Sequence, residues 1–270
     1  MLTINNISKT FFPGTINEVK ALRKVSLQIK EGSFTAIIGT NGSGKSTLLN
    51  AIAGTFIPDE GSIKIDGTEI SRWPEYKRAR MIGRVFQNPF AGSAADMTIA
   101  ENIVMAMRRG QSRPLKIAVH KNIKAAIAEK VQMLKMGLED RLDNPIGTLS
   151  GGQRQALTLL MATWLKPKLL LLDEHTAALD PKSAAKVAEL TKIIIEQEKL
   201  TALMVTHSMQ QAVDLPDRIV MMHRGQIVED LRDEMKHRVR VPDLLETFNI
   251  IQKRELFDES VARLMKEQYI

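Results

Sequence analysis

The segment SFTAIIGTNGSGKSTLLNAIAG, residues 33–54, constrains the fold of this 270-residue chain more than any other stretch. It starts with an apolar run of strand length, continues through a glycine-rich turn, and ends in apolar residues at helical spacing. Glycine adopts backbone conformations that other residues avoid, so the turn can be very tight. The sequence therefore predicts a buried strand, a glycine-rich loop and a helix in direct succession.

The turn itself matches a phosphate-binding pattern. Residues 39–46 read GTNGSGKS and fit the spacing G-x-x-x-x-G-K-[ST]. The glycines let successive backbone N–H groups point at phosphate oxygens, and the N-terminus of the following helix adds its dipole. Lys45 is expected to reach the β- and γ-phosphates of a nucleotide, and the Ser46 hydroxyl to bind Mg²⁺. The predicted nucleotide-binding residues of this loop are Gly39, Thr40, Asn41, Gly42, Ser43, Gly44, Lys45, Ser46 and Thr47.

Two kinds of strand pattern occur along the chain. LTINNIS, VSLQIKEG and GSIKIDG alternate apolar with polar residues, which is typical of half-buried antiparallel strands. KLLLLDE and TALMVTH are continuous apolar runs with helical stretches between and after them, which favours a parallel sheet covered on both faces. The predicted fold class is α/β, a P-loop core with a mostly parallel sheet, an antiparallel β subdomain and a helical insert.

The helical insert is expected from about residue 89 to 165, where no strand-like run occurs. NIKAAIAEKVQMLKMGL within it predicts one helix with an apolar stripe. We expect a domain over 1–230, whose core is 1–88 and 166–230. Residues 231–270 are highly charged and predict a short C-terminal helical appendage, with helices begun by Pro242-Asp243 and Asp258-Glu259-Ser260. The stripe consists of Ile123, Ile127, Val131, Leu134 and Leu138.

An acidic pair closes the apolar run LLLLDE. Nucleotide hydrolysis needs a carboxylate near the metal ion and a group that orients the attacking water. Asp173 is expected to hold Mg²⁺ through a water, and Glu174 to orient and polarise the water that attacks the γ-phosphate. Alone, such a pair is often a helix N-cap. The phosphate-binding loop earlier in the chain favours the catalytic interpretation.

Composition excludes several other classes. The chain is 44% hydrophobic and 26% charged, as ordinary globular proteins are. It contains no cysteine, which excludes a disulfide framework and a cysteine nucleophile. No apolar run approaches membrane-spanning length and the first residues lack a secretory pattern, so we expect a cytoplasmic chain. The net charge of +7 is scattered and only 4% of residues are aromatic, so no nucleic-acid partner is expected.

A second glycine-containing helix start stands at TLSGGQRQ, residues 148–155. Its serine and glycines precede the amphipathic pattern QRQALTLLMATWL, so the local design is a helix N-terminus with free backbone donors, suited to an anion. The pattern alone fits equally well a capped helix with a flexible lead-in. One bound nucleotide needs only one phosphate cradle, so the second requires an explanation.

The order of these motifs resembles the ATP-binding cassette (ABC) family from about residue 2 to 230. LSGGQ resembles the family signature, VFQNP its Q-loop, AALD its D-loop and VTH its switch strand. The resemblance implies that Gln87 reaches Mg²⁺ and the attacking water, and that His207 contacts the γ-phosphate and fixes the water with Glu174. Phe11, with Phe12 as the alternative, would stack on adenine. The resemblance also implies nucleotide contacts from Ser150, Gly151, Gly152, Gln153 and Asp180.

The resemblance also implies a use for the second cradle. In this family two cassettes pair head to tail, and each ATP lies between the phosphate-binding loop of one copy and the signature helix of the other. We therefore expect a homodimer held together by ATP and Mg²⁺, which loosens when hydrolysis removes the γ-phosphate. The chain departs from the family pattern at His175, where proline or alanine is more common, and at Ala178, where serine is common.

The function implied by the resemblance is an ATPase subunit that powers an ABC transporter, an importer rather than an exporter. It would bind permease subunits at the cytoplasmic face of the membrane and be served indirectly by a solute-binding protein. Phe90 and Met97 are candidates for a groove that receives a permease helix; packing against the helical insert is their alternative. An exporter subunit and a soluble cassette ATPase of chromosome upkeep or translation are alternative functions. A small-molecule kinase would not explain LSGGQ.

Overall fold

The computed structural model describes residues 1–110 and 121–251. The strands in this part of the chain are β1 (Leu2–Phe11), β2 (Val19–Ile29), β3 (Phe34–Gly39), β4 (Glu60–Ile65), β5 (Thr68–Glu69), β6 (Ile82–Val85), β7 (Leu169–Asp173), β8 (Ala202–Val205), β9 (Arg218–His223) and β10 (Gln226–Leu231). The helices are α1 (Lys45–Ala53), α2 (Glu75–Arg78), α3 (Ile99–Met107), α4 (Lys121–Gln132), α5 (Gly151–Thr163), α6 (Pro181–Glu198), α7 (Met209–Asp214) and α8 (Asp233–Arg238). Residues 241–251 are also helical.

Six strands form the larger sheet, in the order β10, β9, β3, β8, β7, β6. β9, β3, β8, β7 and β6 are parallel to one another, and β10 is antiparallel to β9. Every residue of β3 is buried, because both of its faces are covered and it has a neighbour on each side. A strand in this position reads as a continuous apolar run. The predicted α/β fold class with a mostly parallel sheet is confirmed.

The two faces of the larger sheet belong to two hydrophobic cores. Along β7, Leu170 and Leu172 pack with residues of α5 and α6, whereas Leu169 and Leu171 pack with α1 and the smaller sheet. This alternation follows from the period of two residues in a strand. The larger sheet is therefore the middle layer, and the loop between β3 and α1 begins at its edge.

The smaller sheet is antiparallel, in the order β2, β1, β4, β5. Leu2, Ile4 and Ile7 of β1 are fully buried, but the alternation of inward and outward residues slips at Asn5 and Asn6. Asn6 adopts a left-handed conformation (φ 48°), and the pairing register with β2 shifts between Ile4 and Ile7. A bulge of this kind inserts an extra residue and lets both halves of β1 face the core. The predicted antiparallel β subdomain is present.

The segment between β6 and β7 is helical as predicted: α3, α4 and α5 lie in it, and no strand occurs among its described residues. Ile127 and Val131 of α4 are fully buried, and Ile123 is half-buried against the same core. The predicted limits of the insert, about 89 to 165, and of the two parts of the core stay a prediction.

The predicted helix over 122–138 is too long. α4 ends at Gln132, because Lys135 and Gly137 adopt left-handed conformations with φ of 51° and 64°. Leu134 and Leu138 nevertheless reach the same core as the helix. The apolar spacing therefore predicts the burial of these residues correctly, but the prediction of one continuous helix is wrong.

The C-terminal residues pack on the face of the larger sheet that α5 and α6 cover. Leu244 is fully buried and Phe248 is nearly so, both in the core that contains α5 and α6. Lys236 Nζ of α8 donates to the Val213 carbonyl at 2.6 Å. The helix predicted to begin at Pro242-Asp243 is found over 241–251. The one predicted at Asp258-Glu259-Ser260 lies outside the described residues.

Arg78, at the end of α2, is fully buried and joins α1 to the rest of the fold. Its Nη1 donates to the carbonyls of Ala51 and Ile52 at 2.7 and 2.8 Å, in the last turn of α1. Its Nη2 and Nε donate to the carbonyls of Ser71 and Trp73. Carbonyls at a helix C-terminus have no partner within the helix. Arg78 therefore satisfies the end of the helix that follows the glycine-rich loop.

Replacing Arg78 by methionine should reduce the free energy of unfolding by more than about 3 kcal/mol, because several buried carbonyls lose their donor and each costs about 1–3 kcal/mol. Chemical denaturation measures the change. Arg72→Met is the matched control, since Arg72 is exposed, and it should change stability by less than about 0.5 kcal/mol. Equal stability of the two variants would contradict the structural role of Arg78.

Candidate active site

The predicted functional residues meet at the carboxyl edge of the larger sheet. β3 runs into the glycine-rich loop at Gly39, and β7 ends at Asp173. β8 is followed two residues later by His207, and β6 two residues later by Gln87. These strands are parallel, so their carboxyl ends lie at one edge. Open α/β sheets bind ligands at this edge.

The backbone packs closely around two glycines of the loop, Gly39 and Gly44, where a side chain would not fit. Gly44 is the N-cap of α1 in a left-handed conformation (φ 99°), and a Cβ there would lie 2.5 Å from the Ala21 carbonyl oxygen. A Cβ at Gly39 would lie 2.3 Å from the Met222 carbonyl oxygen. The hydroxyl of Ser43 is buried and has no hydrogen-bond partner among the described residues. The loop thus holds a polar group that the chain itself leaves unsatisfied.

Lys45 lies inside the curve of the loop. It is 5% exposed, and its Nζ donates to the carbonyls of Gly39 and Thr40, each at 2.9 Å. Burial lowers the pKa of this amine below its ordinary value, while the carboxylates of Glu174 and Asp173 act in the opposite direction. The predicted lysine and the predicted acidic pair are therefore close enough to interact electrostatically.

Asp173 is the last residue of β7, and its side chain is 15% exposed. Its Oδ2 accepts a hydrogen bond from Arg84 Nη2 at 3.2 Å. Ser46, another predicted metal ligand, is exposed in the first turn of α1. A hydroxyl and a carboxylate are oxygen donors of the type that Mg²⁺ prefers.

Glu174 and His207 are in direct contact. His207 Nε2 lies 2.6 Å from Glu174 Oε1. The Glu174 side chain is 10% exposed and that of His207 is 44% exposed. Glu174 adopts a left-handed conformation (φ 47°), and its N–H donates to the Val205 carbonyl at 2.9 Å. This turn directs the carboxylate away from the path of β7 and towards the histidine that follows β8.

An open cleft of about 480 Å³ lies over the loop. Its lining contains Glu174, His207, both phenylalanines of the KTFF segment and the loop residues from Asn41 to Thr47. Asp173 and Gln87 are not part of the lining, and Gln87 is exposed where the chain leaves β6. The structure therefore brings the predicted phosphate-binding loop together with the predicted water-orienting pair.

The two candidate adenine-stacking rings differ in their surroundings. Phe11 is half-buried, and its ring meets the Phe56 ring edge-on at 5.5 Å between centroids. Phe12 is 66% exposed in a left-handed conformation (φ 51°). Lys9 Nζ lies 5.7 Å from the Phe11 centroid. Both rings border the cleft, and Phe12 presents the larger free surface.

The signature segment lies elsewhere. Ser150 is the N-cap of α5: its Oγ accepts from the Gln153 N–H at 3.3 Å, and its own N–H donates to Gln153 Oε1 at 3.2 Å. Gly152 is buried against α6, where a Cβ would lie 2.7 Å from Ser183 Cβ. None of residues 150–153 lines the cleft. One chain thus carries two helix starts suited to anions, and they do not share a cavity.

Asp180, in the predicted D-loop, is the N-cap of α6. Its Oδ1 accepts from the Ser183 N–H at 3.1 Å, and hydrogen bonds with Ser183 lower the pKa of its carboxyl below the ordinary value. Because Ser183 also touches Gly152, Asp180 and the signature glycine are held at adjacent helix starts.

His175 has a structural position that the sequence left open. It is 1% exposed, and its Nε2 lies 2.9 Å from the hydroxyl of Thr191, which donates to the Val187 carbonyl at 2.8 Å. Burial lowers the pKa of His175 to about 4, so the ring is neutral at pH 7. The side chain ties the end of β7 to α6 and does not line the cleft.

Comparison with known proteins shows to which family the chain belongs. Residues 22–177 match the family model of the ABC transporter. The chain is 42% identical over 250 residues to a tyrosine transport ATP-binding protein of Clostridioides difficile, covering 92% of this chain and 98% of that protein. It is 35% identical over 227 residues to the sulfate/thiosulfate import ATP-binding protein CysA of Thermosynechococcus vestitus, covering 84% of this chain and 62% of the relative, less than two thirds of its length.

The chain belongs to the ABC transporter family. A solved dimer of an ATP-binding cassette in a post-hydrolysis state, bound to ADP and Pi, superposes with a TM-score of 0.72 and 29% identity, over 86% of this chain and 98% of that one. The ABC protein described here is accordingly an ATP-binding ATPase, as predicted. Among its described residues no helix has the length and apolar character needed to cross a membrane.

Replacing Lys45 by alanine should weaken ATP binding by at least about tenfold, because a charge-assisted contact to the phosphates contributes roughly 1.5–3 kcal/mol. Titration calorimetry measures the affinity. Lys168→Ala is the control, since Lys168 forms an exposed ion pair with Asp66 on a different surface, and its ATP affinity should equal that of the native protein. Unchanged ATP binding by Lys45→Ala would refute the assignment of the loop as the phosphate cradle.

Proposed function

We propose that this ABC protein is the ATP-hydrolysing subunit of an importer, and that it works as a head-to-tail homodimer with ATP between the two copies. The observation that carries the proposal is the separation of the two helix starts within one chain. The cleft over the loop before α1 contains Glu174 and His207 but no residue of the α5 start. A second copy related by a two-fold axis supplies each cleft with the α5 start of the other copy.

The nucleotide is assigned to the cleft over the loop. Its phosphates meet the backbone N–H groups between Gly39 and Thr47, and the unsatisfied hydroxyl of Ser43 is a further donor at that position. The adenine ring is assigned to the Phe11 and Phe12 pair, which borders the same cleft. Lys45 exchanges its bonds to its own loop carbonyls for the β- and γ-phosphates.

Mg²⁺ fits the oxygen donors next to the cleft. The Ser46 hydroxyl is exposed at the start of α1, and Asp173 Oδ1 has no hydrogen bond in the described part of the chain. These two residues and Gln87 would hold the ion. When bound, it neutralises charge on the phosphate oxygens.

Hydrolysis is assigned to the pair of Glu174 and His207. Glu174 orients and polarises the water that attacks the γ-phosphate, and His207, 2.6 Å from its carboxylate, holds that carboxylate and contacts the γ-phosphate. Loss of the γ-phosphate then removes the contact with the signature helix of the second copy. The dimer opens, and the binding energy of ATP becomes motion.

A second cavity offers a place for a permease subunit, and so for peripheral attachment at the cytoplasmic face of the membrane. A groove of about 550 Å³ lies between the Q-loop and helices α3 and α5. Phe86, directly before Gln87, lines it, as does Met105, which is 42% exposed. A groove with apolar side chains is suited to a partner helix.

Phe90 and Met97 do not line this groove. The ring of Phe90, 59% exposed, stacks on the guanidinium of Arg154 at 4.0 Å from its centroid. The docking role expected for these two side chains is therefore assigned to Met105 and Phe86 instead.

Import, with a solute-binding protein acting through the permease, is favoured over export by the relatives. One is described as a tyrosine transport protein and another as a sulfate/thiosulfate import protein. An exporter subunit and a soluble cassette ATPase are the alternatives.

Replacing Glu174 by glutamine should leave ATP binding intact and reduce hydrolysis by orders of magnitude, because the group that positions the water is lost. The variant should accumulate as an ATP-bound dimer. Size-exclusion chromatography with and without Mg-ATP measures the dimer, and phosphate release measures turnover. Glu189→Gln is the control, since Glu189 is an exposed residue of α6 paired with Lys186, and it should turn over ATP normally.

Two results would contradict the proposal. Normal turnover by Glu174→Gln would exclude its catalytic role. If Glu174→Gln remains a monomer at saturating Mg-ATP, a nucleotide site shared between two copies is excluded.

Replacing Met105 by aspartate should leave folding and basal ATP hydrolysis unchanged, because Met105 is exposed and outside the ATP cleft. Assembly with the membrane should be lost, because a carboxylate opposes an apolar partner. Membrane co-purification measures assembly, with Met133→Asp as the control, since Met133 is 50% exposed and outside the groove.

Metabolite profiles of the same cells test the direction of transport. Met105→Asp cells should be depleted of one solute, as loss of an importer requires. Accumulation of that solute would indicate an exporter. Membrane assembly by Met105→Asp equal to that of Met133→Asp would exclude the groove as the docking site.

A further inference from the structure

Arg84, on β6, contacts the predicted metal carboxylate from the strand beside it. Its Nη2 donates to Asp173 Oδ2 at 3.2 Å and to Asn50 Oδ1 at 2.7 Å, and its Nη1 donates to Thr55 Oγ1 at 3.4 Å. The side chains of Arg84 and Asp173 are only 13% and 15% exposed. An ion pair so shielded from solvent has a more definite geometry than an exposed one.

The position of this guanidinium is determined by three parts of the fold. Arg84 belongs to β6 of the larger sheet, and its Cζ lies 4.6 Å from the ring centroid of Phe86. Its partner Asn50 belongs to α1, which follows the phosphate-binding loop. The Arg84 side chain thus connects the Asp173 carboxylate to α1, the helix that starts at Lys45. No local pattern in the sequence indicates this role of Arg84, because its contacts join residues 34 and 89 positions apart.

Only one oxygen of Asp173 is engaged by this contact. Oδ2 accepts from Arg84, whereas Oδ1 makes no hydrogen bond with any described residue. A carboxylate that is fixed through one oxygen presents the other in a single direction. Outer hydrogen bonds of this kind orient the ligands of metal sites, and their loss typically costs about 10- to 100-fold in metal affinity.

We propose that Arg84 is a positioning residue which holds Asp173 so that Oδ1 faces the divalent cation of the bound nucleotide. The proposal rests on the assignment of Asp173 to that cation in the proposed function. Arg84 does not touch the nucleotide; it acts through Asp173. Its own anchor is Asn50, because the Nη2 group is shared between the two acceptors.

The opposite effect is also physically conceivable, since a guanidinium repels a nearby divalent cation. If repulsion dominated, removing Arg84 would tighten cation binding. The shared Nη2 favours positioning, because the bond to Asn50 keeps the guanidinium in place when the cation approaches. The sign of the change in affinity therefore separates the two effects.

The experiment titrates Mn²⁺, a paramagnetic substitute for Mg²⁺, into the ADP-bound protein and measures free Mn²⁺ by electron paramagnetic resonance. Arg84→Gln should weaken Mn²⁺ binding by about tenfold or more, while ADP affinity in EDTA is unchanged. Asn50→Ala, which keeps the arginine and removes its anchor, should weaken Mn²⁺ binding less. Arg84→Lys should recover part of the loss.

Arg109→Gln is the matched control, because Arg109 lines the same groove as Arg84 but bonds to the Ala162 carbonyl. Its Mn²⁺ affinity should equal that of the native protein. Unchanged or tighter Mn²⁺ binding in Arg84→Gln would overturn the proposal. If thermal melts show that Arg84→Gln does not fold, the Mn²⁺ affinity of Asn50→Ala is the test instead. Unchanged or tighter Mn²⁺ binding by Asn50→Ala would then overturn the proposal. Failure of the native protein to bind ADP would overturn the proposed function together with this inference.

Discussion

The parallel pairing of β3 with β8 and β9 is the constraint on which the site depends. It places the glycine-rich loop at the carboxyl edge of the sheet, within reach of the chain that leaves β7 and β8. Glu174 donates its N–H to the carbonyl of Val205, so the turn after β7 is built on the end of β8. The contact of Glu174 with His207 follows from that turn. The proposed catalytic pair therefore depends on strand order as much as on the two residues.

Buried arginines bond to backbone carbonyls in several parts of the fold. Arg78 and Arg154 are almost completely buried, yet their bonds go to backbone carbonyls rather than to carboxylates. A guanidinium carries several donors in a rigid plane, so Arg78 bonds to carbonyls of two separate segments, whereas Arg154 bonds to the Ile146 carbonyl. Arg218 pairs with Asp230 and bonds to the Gln28 carbonyl of the smaller sheet.

Local signals predicted the parts of the fold that depend on local geometry. The strand before Gly39, the helix after it and the continuous apolar run of β7 were correct, because a tight loop and a doubly covered strand leave direct marks on the sequence. β6, with the sequence IGRV, was missed because four residues that include glycine and arginine carry no strand pattern. The contacts of Arg78 and Arg84 join distant residues, and no spacing rule reveals them. The end of α4 was not predicted, because Lys135 adopts a left-handed conformation that is uncommon for lysine.

Each predicted phosphate cradle contains a group that is already bonded within its own chain. The amine of Lys45 bonds to the carbonyls of its own loop, and the hydroxyl of Ser150 accepts the N–H of Gln153. A nucleotide that enters the cleft must replace the first set of bonds, and its gain is reduced accordingly. In the proposed head-to-tail dimer, contacts from the α5 start of the second copy add to that gain only when the γ-phosphate is present. In the proposed dimer, ATP therefore strengthens the association of the two chains by the same factor by which their association strengthens ATP binding.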